Sequence, residues 1–249
     1  MINLRHTILL IVSFLCVFLL WEIFVVFFKV NQTLFPPLHV VLAAYKDSTE
    51  LVSDIGVSLY RLFVGTFFGA LCGVLFGLMT SRIQYIHETI GQVATFFRFI
   101  PPLALVPLFL LWFGIGEFSK ISLILWTTFF PVWLNTHHSI QSIEKNYLLA
   151  AKSLQVKRLY FIKNILLQGS LPTIFQGVRI GIGFAFSVLI AAEMIGAYAG
   201  LGHRIFFLQS VYRTDRMLGY ILVLGLLGLI VDKVFIVITK KITPWKNGI

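Results

Sequence analysis

The chain has 249 residues, of which 58% are hydrophobic and only 12% charged, with a mean hydropathy of +0.92. Soluble domains carry about 25% charge, so the composition excludes a soluble globular protein and predicts an all-α integral membrane protein. The formal net charge of +10 is scattered between long apolar runs, a pattern of basic cytoplasmic loops and not of a nucleic-acid surface.

Residues 8–28 form the first apolar run, after Arg5 and before Lys29. Its length and bulk predict a retained span starting in the cytoplasm, with Glu22 near its outer end. Phe35-Pro36-Pro37 then breaks the chain. Residues 38–53, with Lys46, Asp47 and Glu50, are expected to lie as a helix along the outer surface. The second span covers 55–80. Its Gly65, Gly69, Gly73 and Gly77 recur every four residues and stack on one face, where a neighbouring helix can approach closely. Ser81-Arg82 returns the chain to the cytoplasm.

Residues 86–113 predict a third span, kinked by Pro101, Pro102 and Pro107 and carrying Arg98. An arginine at membrane depth faces a partner or a water-filled cavity. After an outer turn at 114–117, residues 121–135 predict the fourth span, with Pro131 inside it. His137 and His138 are adjacent, point apart on a helix and are expected at the interface without a metal. Residues 143–172 are a basic island with Glu144, Lys145, Lys152, Lys157, Arg158 and Lys163. Leu148, Ala151, Leu154, Leu159 and Ile162 recur there at helical spacing. A cytoplasmic helical loop with an apolar face suggests a docking element for another protein.

The fifth span is 174–195, with Gly177, Gly181 and Gly183 for close packing. Arg179 and Glu193 lie on it about 21 Å apart, too far to pair. Residues 196–216, with His203, Arg204, Arg213, Asp215 and Arg216, are expected as an outer loop. The sixth span, 218–238, carries Asp232 and Lys233, and Lys240, Lys241 and Lys246 close the chain in the cytoplasm. The result is a single domain of about six spans with both termini cytoplasmic. Residues 1–53 form a first helix and outer segment, 54–241 the core, and 143–172 the cytoplasmic loop. Cys16 and Cys72 lie in apolar runs and imply neither a disulfide nor a metal. No catalytic constellation or phosphate-cradling loop is present, so any ATP must be bound by a separate chain.

Leu149-Ala150-Ala151-Lys152-Ser153-Leu154-Gln155, followed by Leu171-Pro172, resembles the EAA loop of bacterial ABC-importer permeases. The stretches Phe99-Ile100-Pro101-Pro102-Leu103-Ala104-Leu105-Val106-Pro107 and Leu111-Trp112-Phe113-Gly114-Ile115-Gly116 are similar to those of nitrate/sulfonate/taurine-type permeases. So are Ala192-Glu193-Met194-Ile195-Gly196-Ala197 and Gly200-Leu201-Gly202. The resemblance implies a type I ABC importer permease fold in the bacterial inner membrane. It implies pairing with a second permease copy, an ATPase dimer on the cytoplasmic side, and a periplasmic or lipid-anchored solute-binding protein. The cargo it implies is a small anion of the sulfonate, taurine or nitrate kind. The usual Glu, Gly and Pro of the loop fall on Leu149, Gln155 and Gln168. A glycine at such a turn supplies a left-handed backbone that costs another residue roughly 1 kcal/mol, so Gln155 is expected to strain or reshape it.

The residues expected to couple to the ATPase are Leu149, Ala150, Ala151, Lys152, Leu154, Gln155, Lys157 and Arg158. Ala150, Ala151 and Leu154 form the face seated in a partner groove. The translocation pathway is expected to use Arg98, Pro101, Pro102, Arg179 and Glu193, the arginines attracting anions. The competing reading has the arginines capping carbonyls freed by prolines, or pairing with Glu193 or Glu88. Two other functions stay open: a proton-coupled secondary carrier using Glu193, though no internal repeat is seen, and a divergent permease-like subunit without transport activity.

Overall fold

The computed structural model describes residues 4–28, 31, 33–44 and 49–245, and these are helical with no strand. Lys29, Lys46, Asp47 and Lys246, each placed by the sequence on one membrane surface, lie outside the described residues.

Helix α1 (Leu4–Phe27) is tied at its end to the short α2 (Leu38–Ala43). The Glu22 carboxylate accepts the Leu38 N–H at 2.7 Å and pairs with His39, while Trp21 Nε1 donates to the Pro36 carbonyl. An acidic group thus satisfies an N–H left unpaired where α2 begins. The surface helix expected over 38–53 is not one element. Glu50 to Ser53 belong to α3 (Thr49–Arg82), because Asp54 in the next turn is drawn into the bundle interior by partners described below.

The centre of the fold is α7 (Glu117–Gln141), packed between α3 and α10 (Gln168–Gly196). Gly65, Gly69, Gly73 and Gly77 of α3 meet Ile124, Leu125, Phe129 and Thr136 of α7 in that order, so the two helices run parallel. A Cβ on Gly69 would lie 2.7 Å from the Leu125 carbonyl oxygen, and one on Gly73 2.8 Å from that of Phe129. The opposing face of α10 uses Gly177 and Gly181 against Pro131 and Thr128 and runs antiparallel. Because α7 faces protein along its length, it buries Thr127, Thr136 and His137. The Thr127 hydroxyl donates to the Leu123 carbonyl, that of Thr136 to Val132, and Trp133 Nε1 to Thr80 Oγ1. Leu62, Ile124, Ala185, Leu189 and Val231 close the core where α3, α7, α10 and α12 (Thr214–Ile242) meet.

The six expected spans map onto α1, α3, a bent pair, α7, a long helix ending in α10, and α12. Among the described residues, three are long and apolar enough by themselves to cross a membrane: Glu50–Arg82, Arg158–Gly196 and Thr214–Ile242. The second of these joins α9 (Arg158–Tyr160), a π-helical stretch at Phe161–Leu167 and α10. In α1 the described apolar stretch is Leu15–Phe27, and α7 trades hydropathy for its buried polar contacts.

Two further expectations are corrected. The third span is not a kinked rod. A π turn (His87–Gly91) separates α4 (Gln84–Ile86) from α5 (Gln92–Arg98). The chain then bends by 85° before a 3-10 turn at Pro102–Leu105 and α6 (Val106–Phe113). Pro101 is extended (φ −60, ψ 123) and neither it nor Pro102 has an N–H to continue α5. The expected outer loop at 196–216 contains a ten-residue helix, α11 (Leu201–Ser210), which buries Leu201, Ile205 and Leu208. These recur one turn apart, an apolar stripe interleaved with His203 and Arg204.

Candidate functional site

Helix α8 (Lys145–Ser153) occupies the island between α7 and α9. Its C-terminus turns through Gln155 at φ +47, and the Val156 N–H reaches back to the Ala151 carbonyl at 3.2 Å. This closure satisfies a terminal carbonyl and places Gln155 where helices usually carry glycine. The strain expected at Gln155 is therefore located in one left-handed residue. One member of the expected docking face is corrected. Ala151 is only 5% exposed, turned inward one turn after the half-buried Leu148. The expected Ala150 and Leu154 are exposed, Leu154 at 77%, and Leu149 takes the place of Ala151 beside them. Tyr147, Leu159 and Tyr160 extend this apolar surface, and Lys157 and Arg158 are exposed beside it. The side chain of Lys152 lies outside the described set.

The five expected pathway residues fall in three places. Arg98 is exposed at the end of α5, its guanidinium 4.9 Å from the centre of the Phe99 ring. Pro101 and Pro102 form the adjacent break. Arg179 binds both carboxylate oxygens of Asp232 on α12, at 2.6 and 2.9 Å, not Glu193 or Glu88. Glu193 is fully buried at the far end of α10.

Around Glu193 lies a polar cluster that the reading of spans passed over. Its carboxylate accepts from Arg61 Nη1 at 2.7 Å, from the Ser58 hydroxyl at 2.8 Å and from the Gly202 N–H at 2.8 Å. Arg61, itself 2% exposed, also donates to both oxygens of Glu117 and to the Ala199 carbonyl. One turn earlier, Asp54 accepts from the Gly200 N–H, Arg204 Nε and the Tyr220 hydroxyl. The Leu201 N–H donates to Ser58 Oγ. Gly200 sits at φ +117, and a Cβ there would lie 2.5 Å from Glu193 Oε1, so glycine is required on steric and conformational grounds. The cluster joins α3, α7, α10, α11 and α12 at the end of the bundle opposite α8. The signal for it was Asp54, Ser58 and Arg61 within an apolar run, since charge inside a span needs a partner.

The description "Binding-protein-dependent transport system inner membrane component" matches residues 65–245. The chain belongs to this family. The match runs from the first glycine of the α3 ladder past the end of α12, leaving α1 and α2 before it. The chain is similar to the putative aliphatic sulfonates transport permease protein of Bacillus subtilis (strain 168), 28% identical over 92% of this chain and 84% of that one. It is also similar to the taurine transport system permease protein of Escherichia coli (strain K12), 32% identical over 82% and 74%. In fold it resembles the inward-facing MetNI methionine ABC transporter (TM-score 0.67, 19% identity, 78% of this chain and 96% of that one). This inner-membrane permease subunit of an ABC importer thus has a binding protein and an ATPase as its kinds of partner. The α8 island and Glu193 fall within the matched segment, whereas Asp54, Ser58 and Arg61 stand just before it.

Proposed function

We propose that the chain pairs with a second copy of itself to form the translocation pathway of an ATP-driven importer for a small sulfonate- or taurine-like anion. Both termini and α8 face the cytoplasm. ATP is bound and hydrolysed by a separate ATPase dimer. The observation that carries this reading is α8: a short helix with a closed C-terminus whose Leu149, Ala150 and Leu154 are exposed without cover. Such a face fits a partner's groove, with Lys157 at the rim for acidic groups.

Closure of the ATPase dimer moves α8 as a rigid lever. The continuous helix Arg158–Gly196 begins four residues after Leu154, and at 39 residues is about 58 Å long. Displacement at α8 therefore reaches the Glu193 cluster at the opposite end. The cargo class is supported by the two relatives named above and by Arg98. No carboxylate lies within ion-pairing distance of Arg98 among the described residues, whereas Asp232 neutralises Arg179.

The test places a carboxylate on the exposed face. Leu154→Asp and Ala150→Asp are expected to reach the membrane at normal levels, lose ATPase on co-purification, and cut ATP-driven taurine uptake into reconstituted vesicles about tenfold or more. Full ATPase binding and uptake in both variants would sink the coupling role of α8.

A further inference from the structure

We propose that Arg82 and Arg158 form a binding site for the phosphate group of an anionic membrane lipid, in a cavity beneath α8. This goes beyond the importer reading and does not require it. The cavity is open to one side, measures about 470 Å³ and is lined by the two arginines, Gln155 and the apolar Leu148, Ala151, Val156 and Phe161. No carboxylate lines it, and among the described residues neither guanidinium is ion-paired. The Arg82 guanidinium carbon lies 5.1 Å from the centre of the Phe161 ring. A cation–π contact of this kind restrains the guanidinium against the ring, and the N–H fork of arginine suits phosphate.

Position along the chain points to lipid as the source of the phosphate. The apolar helix Glu50–Arg82 ends on one arginine, and the other, which opens Arg158–Gly196, lines the same cavity. Basic residues at the ends of spans attract the headgroups of anionic lipid. Leu148, Val156 and Phe161 offer apolar wall to the glycerol and first methylenes of a lipid, which dissolved inorganic phosphate does not use. A lipid seated there touches the end of α3, the Gln155 turn and the start of α9 together. It braces the docking helix against two spans and makes its position sensitive to the lipid composition of the membrane.

The test uses the purified full-length chain in mild detergent with either phosphatidylglycerol or phosphatidylcholine, retained lipid being counted by native mass spectrometry. Phosphatidylglycerol is expected to be retained preferentially. Arg82→Gln combined with Arg158→Gln is expected to weaken it about thirtyfold. The corresponding double Lys variant is expected to keep most of the binding. Phe161→Leu retains both charges and, by loosening Arg82, is expected to weaken binding about threefold, so the proposal remains testable if the Gln variant elutes misfolded. Equal retention of the two lipids, or of phosphatidylglycerol by wild type and the Gln variant, overturns the proposal. Displacement by low-millimolar inorganic phosphate overturns the lipid assignment. Loss of co-purifying ATPase with lipid retention unchanged gives the arginines to the partner protein and overturns it equally.

Discussion

Gln155 and Ala151 stand four residues apart and predict opposite outcomes on mutation. At φ +47 a β-carbon is crowded, and relief of that crowding by glycine exceeds glycine's extra chain entropy. Gln155→Gly is therefore expected to stabilise the α8 turn by up to about 1 kcal/mol, seen as a rise in the melting temperature of the purified chain with ATPase binding kept. No rise would mean that the turn relaxes in solution. Ala151→Asp places an unpaired carboxylate at a 5% exposed position, where burial of an unbonded polar group costs about 2 kcal/mol or more. Folded yield in membranes is expected to drop, in contrast to the exposed Leu154→Asp; normal yield would put Ala151 back on the outer face. The left-handed Gln155 was legible, because it stands where the resembling loop has glycine. The inward turn of Ala151 was not. Helical spacing assigns residues to a common face, but two faces of a short amphipathic helix compete for cover, and only the tertiary fold decides which is inside.

At the scale of elements the α3–α7 contact has a built-in control. Gly69 and Gly73 sit against backbone carbonyls, which cannot swing away as a side chain can. Gly225 and Gly228 on α12 have nothing within 4 Å of a built Cβ. Gly69→Leu or Gly73→Leu is expected to cut folded yield severely, while Gly225→Leu and Gly228→Leu leave it within about twofold of wild type, since surface substitutions stay within about 0.5 kcal/mol. Fluorescence-detected size exclusion of all four variants decides it, and equal yields would place the ladder against lipid. The four-residue glycine spacing was visible in the sequence, and so were the prolines at 101 and 102. The 85° bend was not, because a proline pair ends a helix without fixing the direction in which the chain resumes. The α11 stripe was legible in principle. It was hidden by the charges around it, which made the segment look like solvated loop.

For the whole molecule, the Glu193 cluster fastens five helices at one end of the bundle, and three of its charges, Asp54, Arg61 and Glu193, are almost entirely out of solvent. Removing one partner of such a pair leaves a bare charge and costs about 3–5 kcal/mol, whereas removing both is much milder. Arg61→Leu alone is expected to leave little folded protein. Arg61→Leu with Glu193→Leu is expected to recover much of it, because the remaining carboxylate, Glu117, is half exposed and can be hydrated. Thermal stability of the single and double variants closes the cycle; a double variant as poor as the sum of the singles would mean the two side chains act independently. Family membership and the order of spans were readable from motifs. The cluster was not, because Arg61 and Glu193 are 132 positions apart and only the fold makes them neighbours.

The parallel course of α3 and α7 has a consequence for how the chain is made. Parallel membrane helices cannot be sequence neighbours, so α3 is complete at Arg82 while its mate ends only at Gln141, roughly 60 residues later. At ordinary elongation rates of roughly 5–20 residues per second that is an interval of about 3–12 s. During it the glycine ladder has no helix to close on, and its small-residue groove stands open to lipid or to the insertion machinery. A ribosome stalled before residue 117 therefore holds an α3 whose most demanding surface is still unfilled, and a cysteine at Gly69 should crosslink there to whatever shelters nascent spans.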